Sequence, residues 1–167
     1  MIHLKDPGSI PLKELQILAD HAAIANNLKD VFPHPYTRED AEVFLDVAAK
    51  GALGHTFGIF KEETFIGVGS IVPQQDVYRI NGEIGYWLGR PYWGKGYATA
   101  AVKILTAYAF EELKLLRVFA GVFAHNPASM RVLEKNGYQL EAVIKSSLIK
   151  NGIITDEYLY SVIQANY

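Results

Sequence analysis

Cysteine is absent from the 167 residues. That excludes disulfides and thiol nucleophiles and suits a reducing compartment, so a cytoplasmic location is expected. No apolar run approaches the roughly 20 residues that a membrane-spanning helix needs. Met1 is not followed by the pattern of a signal peptide, and no membrane partner is expected. Basic runs are missing too: 16 Lys and Arg against 18 Asp and Glu leave a formal charge of −2. The electrostatic footprint of a nucleic-acid binder is therefore lacking. The five histidines, His3, His21, His34, His55 and His125, show no metal-ligand spacing, so no metal is expected. What remains is globular in kind, half of it hydrophobic and a fifth charged. A chain of this length suits one domain, residues 1–167, with a core of its own.

The residues present are organised around Glu83 to Phe110, EIGYWLGRPYWGKGYATAAVKILTAYAF. Glu83–Leu88, rich in β-branched and aromatic residues, reads as a short strand. A loop with Gly89, Pro91, Gly94 and Gly96 follows. Ala98, Ala101, Val102, Leu105, Tyr108 and Ala109 then recur at the spacing of one buried helix face. Strand, glycine loop and helix together present unpaired backbone N–H groups to a phosphate. On spacing alone three readings stay open. A P-loop fits Gly89, Gly94 and Lys95, but Gly96 stands where a hydroxyl would hold Mg²⁺. A dinucleotide fingerprint fits Gly94 and Gly96, but Thr99 takes the third glycine's place. An ordinary strand–helix turn explains glycines by geometry alone.

Elsewhere, Met1–Lys5 reads as a brief edge strand. Pro11 opens a helix running to about Asn26 on Leu12, Leu15, Leu18, Ala19 and Ala22. Thr37 caps a second helix that buries Phe44, Leu45 and Ala48 and stops at Gly51. Strands are expected at His55–Phe60 and Thr64–Val72, joined by a tight hairpin, then at Arg117–Ala124. A short helix from Asn126 to Lys135 leads to a strand over Tyr138–Ser146. Asn151-Gly152 is a hairpin signal leading into a last strand, Ile153–Val162. This order predicts a mixed α/β sheet, with Glu83–Leu88 and Arg117–Ala124 as a parallel pair.

Tyr92-Trp93-Gly94-Lys95-Gly96-Tyr97-Ala98-Thr99 resembles the acetyl-CoA pyrophosphate loop of the GNAT superfamily of N-acetyltransferases. Its wording is nearest to the branch of ribosomal-protein N-terminal (Rim-type) acetyltransferases. In the pattern Q/R-x-x-G-x-G/A, Trp93, Gly94, Lys95 and Gly96 fill the last four places. Pro91 stands in the first place, with Arg90 one residue early. Three further segments match in the family's order: Phe32-Pro33-His34-Pro35-Tyr36 with Asp40-Ala41, Gly85-Tyr86-Trp87, and His125-Asn126-Pro127-Ala128-Ser129 through Gly137-Tyr138. The start of the chain departs, with a shorter first strand than the family often has.

The resemblance implies a GNAT fold: a mixed, mostly antiparallel sheet of six or seven strands, helices on both faces, and a splayed central parallel pair. It implies acetyl-CoA as co-substrate, held by Trp87, Leu88, Arg90, Trp93, Gly94, Lys95, Gly96, Tyr97, Ala98, Asn126 and Ser129, without a metal. The acceptor is then a primary amine. The branch favours a protein or peptide α-amino group over a polyamine, aminoglycoside or amino acid. Phe32, His34, Tyr36 and Tyr86 would contact it, and the hairpin around Asn151-Gly152 would form another wall. A module that binds CoA without catalysis is the reading from a different class. Monomer and homodimer are both open.

The same resemblance places a base at Glu83, where burial between strands would raise its pKa. A solvent-facing strand-end charge is the plain alternative, and His34 is next in line as base. Many relatives carry a Tyr in the short helix to protonate the leaving thiolate. Leu133 stands at that position here, and Ser129 matches the serine of Rim-type enzymes instead.

Overall fold

The computed structural model describes residues 1–167. Its seven strands are β1 (Ile2–Lys5), β2 (His55–Lys61), β3 (Thr64–Pro73), β4 (Asn81–Leu88), β5 (Arg117–Phe123), β6 (Gln139–Lys150) and β7 (Ile153–Ile163). They form one sheet in the order β1-β2-β3-β4-β5-β7-β6. Every neighbouring pair is antiparallel except β4 and β5. The helices are α1 (Leu12–Ala19), α2 (Ala22–Ala25), α3 (Arg38–Ala49), α4 (Tyr97–Glu111) and α5 (Pro127–Lys135). No helix is long and apolar enough to cross a membrane.

The two faces of the sheet are covered by different helices. Val102, Leu105 and Ala109 of α4, fully buried, pack with Ile84, Val118 and Val162 on one face. Leu15 and Ala19 of α1 and Ala41 of α3 pack with Phe60, Phe65 and Val68 on the other. A fully buried Leu such as Leu15 or Leu105 contributes about 1.5–3 kcal/mol relative to an exposed one, which holds each helix in place. Tyr108, expected inward, instead packs edge-on against Phe57 with ring centroids 5.0 Å apart, its hydroxyl 3.0 Å from His55 Nδ1. The α3 start is as the sequence predicts. Thr37 Oγ1 accepts from Asp40 N–H, and the Asp40 carboxylate accepts from Thr37 N–H in return, closing a capping box.

Three boundaries differ from expectation, each for a long-range reason. The first long helix breaks after Ala19. Asp20 leaves helical geometry at ψ 68°, and its Oδ1 accepts from Tyr36 N–H at 2.8 Å. His21 then caps α2 by accepting from Ala23 N–H at 3.1 Å. β4 starts at Asn81 rather than Glu83, because Asn81 and Gly82 pair with Arg117 and Val118. β6 starts at Gln139 and continues past Ser146 to Lys150, paired across two irregularities with β7. The Asn151-Gly152 turn forms with both residues at positive φ, as a two-residue hairpin requires.

The parallel pair fixes the site. β4 and β5 are hydrogen-bonded only at Asn81–Arg117, Gly82–Val118 and Glu83–Phe119. β4 then runs on to Leu88 and β5 to Phe123 with no strand between them. From Ile84 onward the β5-facing backbone of β4 lacks the partner that a closed sheet would supply. The central pair is splayed.

Candidate active site

A cleft of about 460 Å³ opens in this splay, lined by Ile24 of α2 with Asn27 and Leu28 after it, the ends of β4 and β5, the glycine loop, the first turn of α4 and the length of α5 from Ala128 to Lys135. Trp93 Nε1–H donates to Leu88 O at 2.7 Å and folds the loop back onto the strand it leaves. Gly94 and Gly96 sit at φ +72° and +77°, a conformation that a Cβ makes costly. Gly96 is the N-cap of α4 and brings no side chain to satisfy the helix's first N–H groups. From Gly94 to Thr99 no backbone N–H has a protein partner. Six consecutive donors at a helix N-terminus, with positive dipole behind them, form an anion cradle. Lys95 Nζ donates to Pro91 O at 2.8 Å, and the Arg90 guanidinium lies 4.8 Å from the Trp93 ring centre.

Across the cleft α5 begins at Asn126, whose Oδ1 accepts from Ser129 N–H at 3.3 Å. The Ser129 hydroxyl lies 2.8 Å from the Tyr86 hydroxyl, and Tyr86 also donates weakly toward Ser129 O at 3.3 Å. Burial pushes the Tyr86 phenol up to about 12, only partly offset by the Ser129 contact, so Tyr86 is a neutral hydroxyl at physiological pH.

The opposite face of β4 carries Glu83, Gly85 and Trp87, since side chains alternate along a strand. Trp87 meets Phe32 edge-on at 5.8 Å, and Phe32 meets Tyr36 at 5.0 Å. Gly85 leaves the surface between Glu83 and Trp87 bare, with only Ser70 Oγ near where a side chain would start. The segment after α2 is tied to the β6–β7 hairpin. Asn151 Nδ2–H donates to Asn26 Oδ1 at 3.1 Å, and buried Lys150 pairs with Asp30 at 2.8 Å.

A profile of the acetyltransferase (GNAT) domain matches residues 11–139. The chain belongs to the GNAT family. Among curated relatives it is 42% identical over 80 residues to the probable N-acetyltransferase YjcK of Bacillus subtilis, covering 48% of this chain but only 44% of that protein. It is 28% identical over 155 residues to the uncharacterized N-acetyltransferase YnaD of the same organism, covering 93% and 91% of the two chains. The ribosomal-protein-serine acetyltransferase of Escherichia coli is 33% identical over 105 residues, covering 63% of this chain and 58% of that one. The spermidine N-acetyltransferase of Vibrio cholerae, solved with CoA and spermine, superposes with a TM-score of 0.79 at 19% identity, covering all of this chain and 96% of that one. That last likeness speaks to fold alone.

Within this GNAT chain the residues singled out from sequence fall into three groups. Trp87, Leu88, Trp93, Gly94, Gly96, Tyr97, Ala98, Asn126, Ser129 and Tyr86 all line the cleft. Arg90 lies instead on a neighbouring shallow groove with Ile17 and His21, and Lys95 is spent on Pro91 O. On the acceptor side the placement is more mixed. Tyr36 is only 3% exposed and belongs to the core. His34 is 3.5 Å from Asp20 and outside the cleft lining. Tyr86 points to α5 rather than to Phe32.

The expected burial of Glu83 between strands is corrected. Its side chain is 36% exposed and lies 3.6 Å from Lys29, because the paired part of the sheet ends at this residue and the splay leaves it at an open edge. Sequence reading missed Arg131 and Lys135, which also line the cleft. Their i, i+4 spacing beside the Asn126 cap was the available signal, and it reads equally well as a solvated helix face. Gly121 and Phe123 were missed because nothing local marks where a strand parts from its neighbour. No three His, Asp or Glu side chains converge where a metal could sit.

Proposed function

We propose that residues 1–167 act as one catalytic unit that transfers the acetyl group of acetyl-CoA to a primary amine, with the α-amino group of a protein or peptide as the acceptor. The observation that carries the reading is the row of six unpaired N–H groups from Gly94 to Thr99 at the mouth of a cleft between splayed strands. Such a row fits a pyrophosphate without any metal. The unpaired edge of β4 beyond Glu83 fits an extended amide-bearing arm such as pantetheine. Acetyl-CoA supplies an activated thioester to this cleft. The peptide preference draws on the likeness to a ribosomal-protein acetyltransferase.

Each residue then has a task. Glu83, on the face open to solvent beside bare Gly85, takes the proton that an ammonium must lose before it can attack, directly or through a water. Backbone N–H groups of the Tyr86–Leu88 segment meet the negative charge that develops on the carbonyl oxygen. Ser129 delivers its Oγ proton to the departing sulfur, the neutral Tyr86 hydroxyl hydrogen-bonded to it passes its own proton to Ser129, and solvent water restores the Tyr86 proton. Leu133 is fully buried and takes no part.

The test is release of free thiol from acetyl-CoA across a panel of N-terminal peptides and a panel of small amines. Turnover confined to polyamines, aminoglycosides or amino acids overturns the peptide acceptor. CoA binding with no thiol release on either panel leaves a silent binding module.

A further inference from the structure

Glu157 belongs to no part of the machinery above. It lies on β7 opposite Phe123 of β5, and Glu83 of β4 is level with Phe119 of β5. Cross-strand partners share a face, so Glu157, Phe123 and Gly121 project on the side of the sheet that carries Glu83 and Trp87. Gly121 lies in the wall of the cleft, past the point where β4 and β5 part. The Glu157 carboxylate occupies the place that a Cβ on residue 121 would take. Glycine at 121 is thus what leaves room for a carboxylate from the next strand beside a residue that lines the cleft, although Glu157 itself is not part of the lining.

That carboxylate has no partner. Nearby acids are matched: Glu83 with Lys29, Glu141 with Arg117, Asp156 with Lys145 and Asp30 with Lys150. Glu157, half-buried, makes no ion pair and no hydrogen bond within the chain. A cation arriving beside an unpaired carboxylate gains a charge-assisted hydrogen bond. Two residues past the last β4–β5 pair, Glu83–Phe119, stand Gly85 and Gly121, and Gly85 too is without a side chain. Both glycines line the cleft, and the unpaired Glu157 carboxylate lies beside the one on β5.

We infer that Glu157 is the residue that captures the acceptor's ammonium group, drawing a cationic amine to the gap between Gly121 and Gly85 before Glu83 removes a proton. This rests on the acetyl-transfer reading and narrows it to acceptors that arrive positively charged at the reacting end. Glu157 binds substrate in this scheme and exchanges no proton with it.

The experiment is titration of two probe amines, unblocked tetra-alanine and spermidine, into CoA-loaded protein, with kcat and KM measured alongside. Glu157→Gln removes the charge and keeps the shape. Gly121→Ala keeps the charge and evicts the carboxylate. Both should weaken amine binding about ten- to a hundredfold, the range for losing a charge-assisted hydrogen bond. Glu157→Asp should fall between them and wild type. CoA affinity should stay within about twofold, and the loss should sit in KM far more than in kcat. Amine affinity unchanged in Glu157→Gln or in Gly121→Ala overturns the assignment, as does a loss confined to kcat. Binding of spermidine alone sinks the peptide reading and leaves the same comparison, made on spermidine, to decide Glu157. A wild-type protein that binds neither amine sinks both.

Discussion

The Tyr86 hydroxyl and the Ser129 hydroxyl meet at 2.8 Å across the splay, joining β4 to the first turn of α5 over a sequence distance of 43 residues. Tyr86 is held neutral by burial, so it can share a proton with Ser129 but does not supply a charge. The pair behaves as one unit in the proposed protonation of the leaving thiolate. Ser129→Ala should lower kcat by about 10²-fold or less, the lower range for acid–base groups. Tyr86→Phe should lower it by a smaller factor, and the double variant should be no worse than Ser129→Ala. Steady-state kinetics with CoA affinity as a control measure this; additive losses would separate the two hydroxyls.

The glycine loop makes a sharper demand. Gly96 stands at φ +77° with open space where a Cβ would be, so no neighbour excludes a side chain. A non-glycine residue there costs about 1–2 kcal/mol of backbone energy. Gly96→Asp adds a negative charge among the free N–H groups as well. CoA binding should fall at least about tenfold in Gly96→Ala and further in Gly96→Asp, by titration calorimetry. Undiminished affinity in Gly96→Asp would move the phosphate site elsewhere.

Glu83→Gln separates base from bystander. With Lys29 3.6 Å away on an open edge, Glu83 contributes little to stability, since exposed pairs are worth about 0–1 kcal/mol. Melting temperature should therefore hold within a few degrees. kcat should drop by about 10²- to 10⁴-fold with CoA affinity intact. Full activity in Glu83→Gln would hand the role to solvent or to His34, which the structure places beside Asp20 and away from the cleft.

Alkaline stability follows from four phenols raised by burial, Tyr138 and Tyr160 together with Tyr36 and Tyr86. Burial pushes Tyr36 up to about 12, with the Asp40 charge adding to it, and Tyr86 to about 12 as well. Both folded values lie above the ordinary tyrosine value near 10, so their contribution is fully present below pH 10. It is lost as pH rises from 10 toward 12, because the unfolded chain ionises first. Thermal melts should be flat with respect to these groups from pH 7 to about 9.5 and fall steeply above 10. Tyr86→Phe should blunt that fall; an identical alkaline profile would show that Tyr86 is not buried in solution.

The elements that repeat a local rule were legible in the chain itself. α4 shows its buried stripe in the spacing of Ala101, Val102, Leu105 and Ala109. Thr37 and Asp40 announce the start of α3, and Asn151-Gly152 announces the hairpin. The loop from Trp93 to Gly96 carries its chemistry in four consecutive residues, so the anion cradle and its family were readable without coordinates. Helix period, cap chemistry and φ preference act within a few residues, and sequence records them directly.

What tertiary structure decided involves partners far apart in the chain. Asp20 ends α1 only because Tyr36 N–H arrives beside it. β7 enters between β5 and β6, and Glu157 thereby reaches Gly121. Pairing of β4 with β5 stops at Glu83–Phe119, which leaves Glu83 half-open instead of buried and makes the cleft. Strand order and the length of a pairing are set by which surfaces pack together, and no residue's local preference encodes them. The glycine loop was therefore written in the sequence, and the splay beside it was decided by the fold.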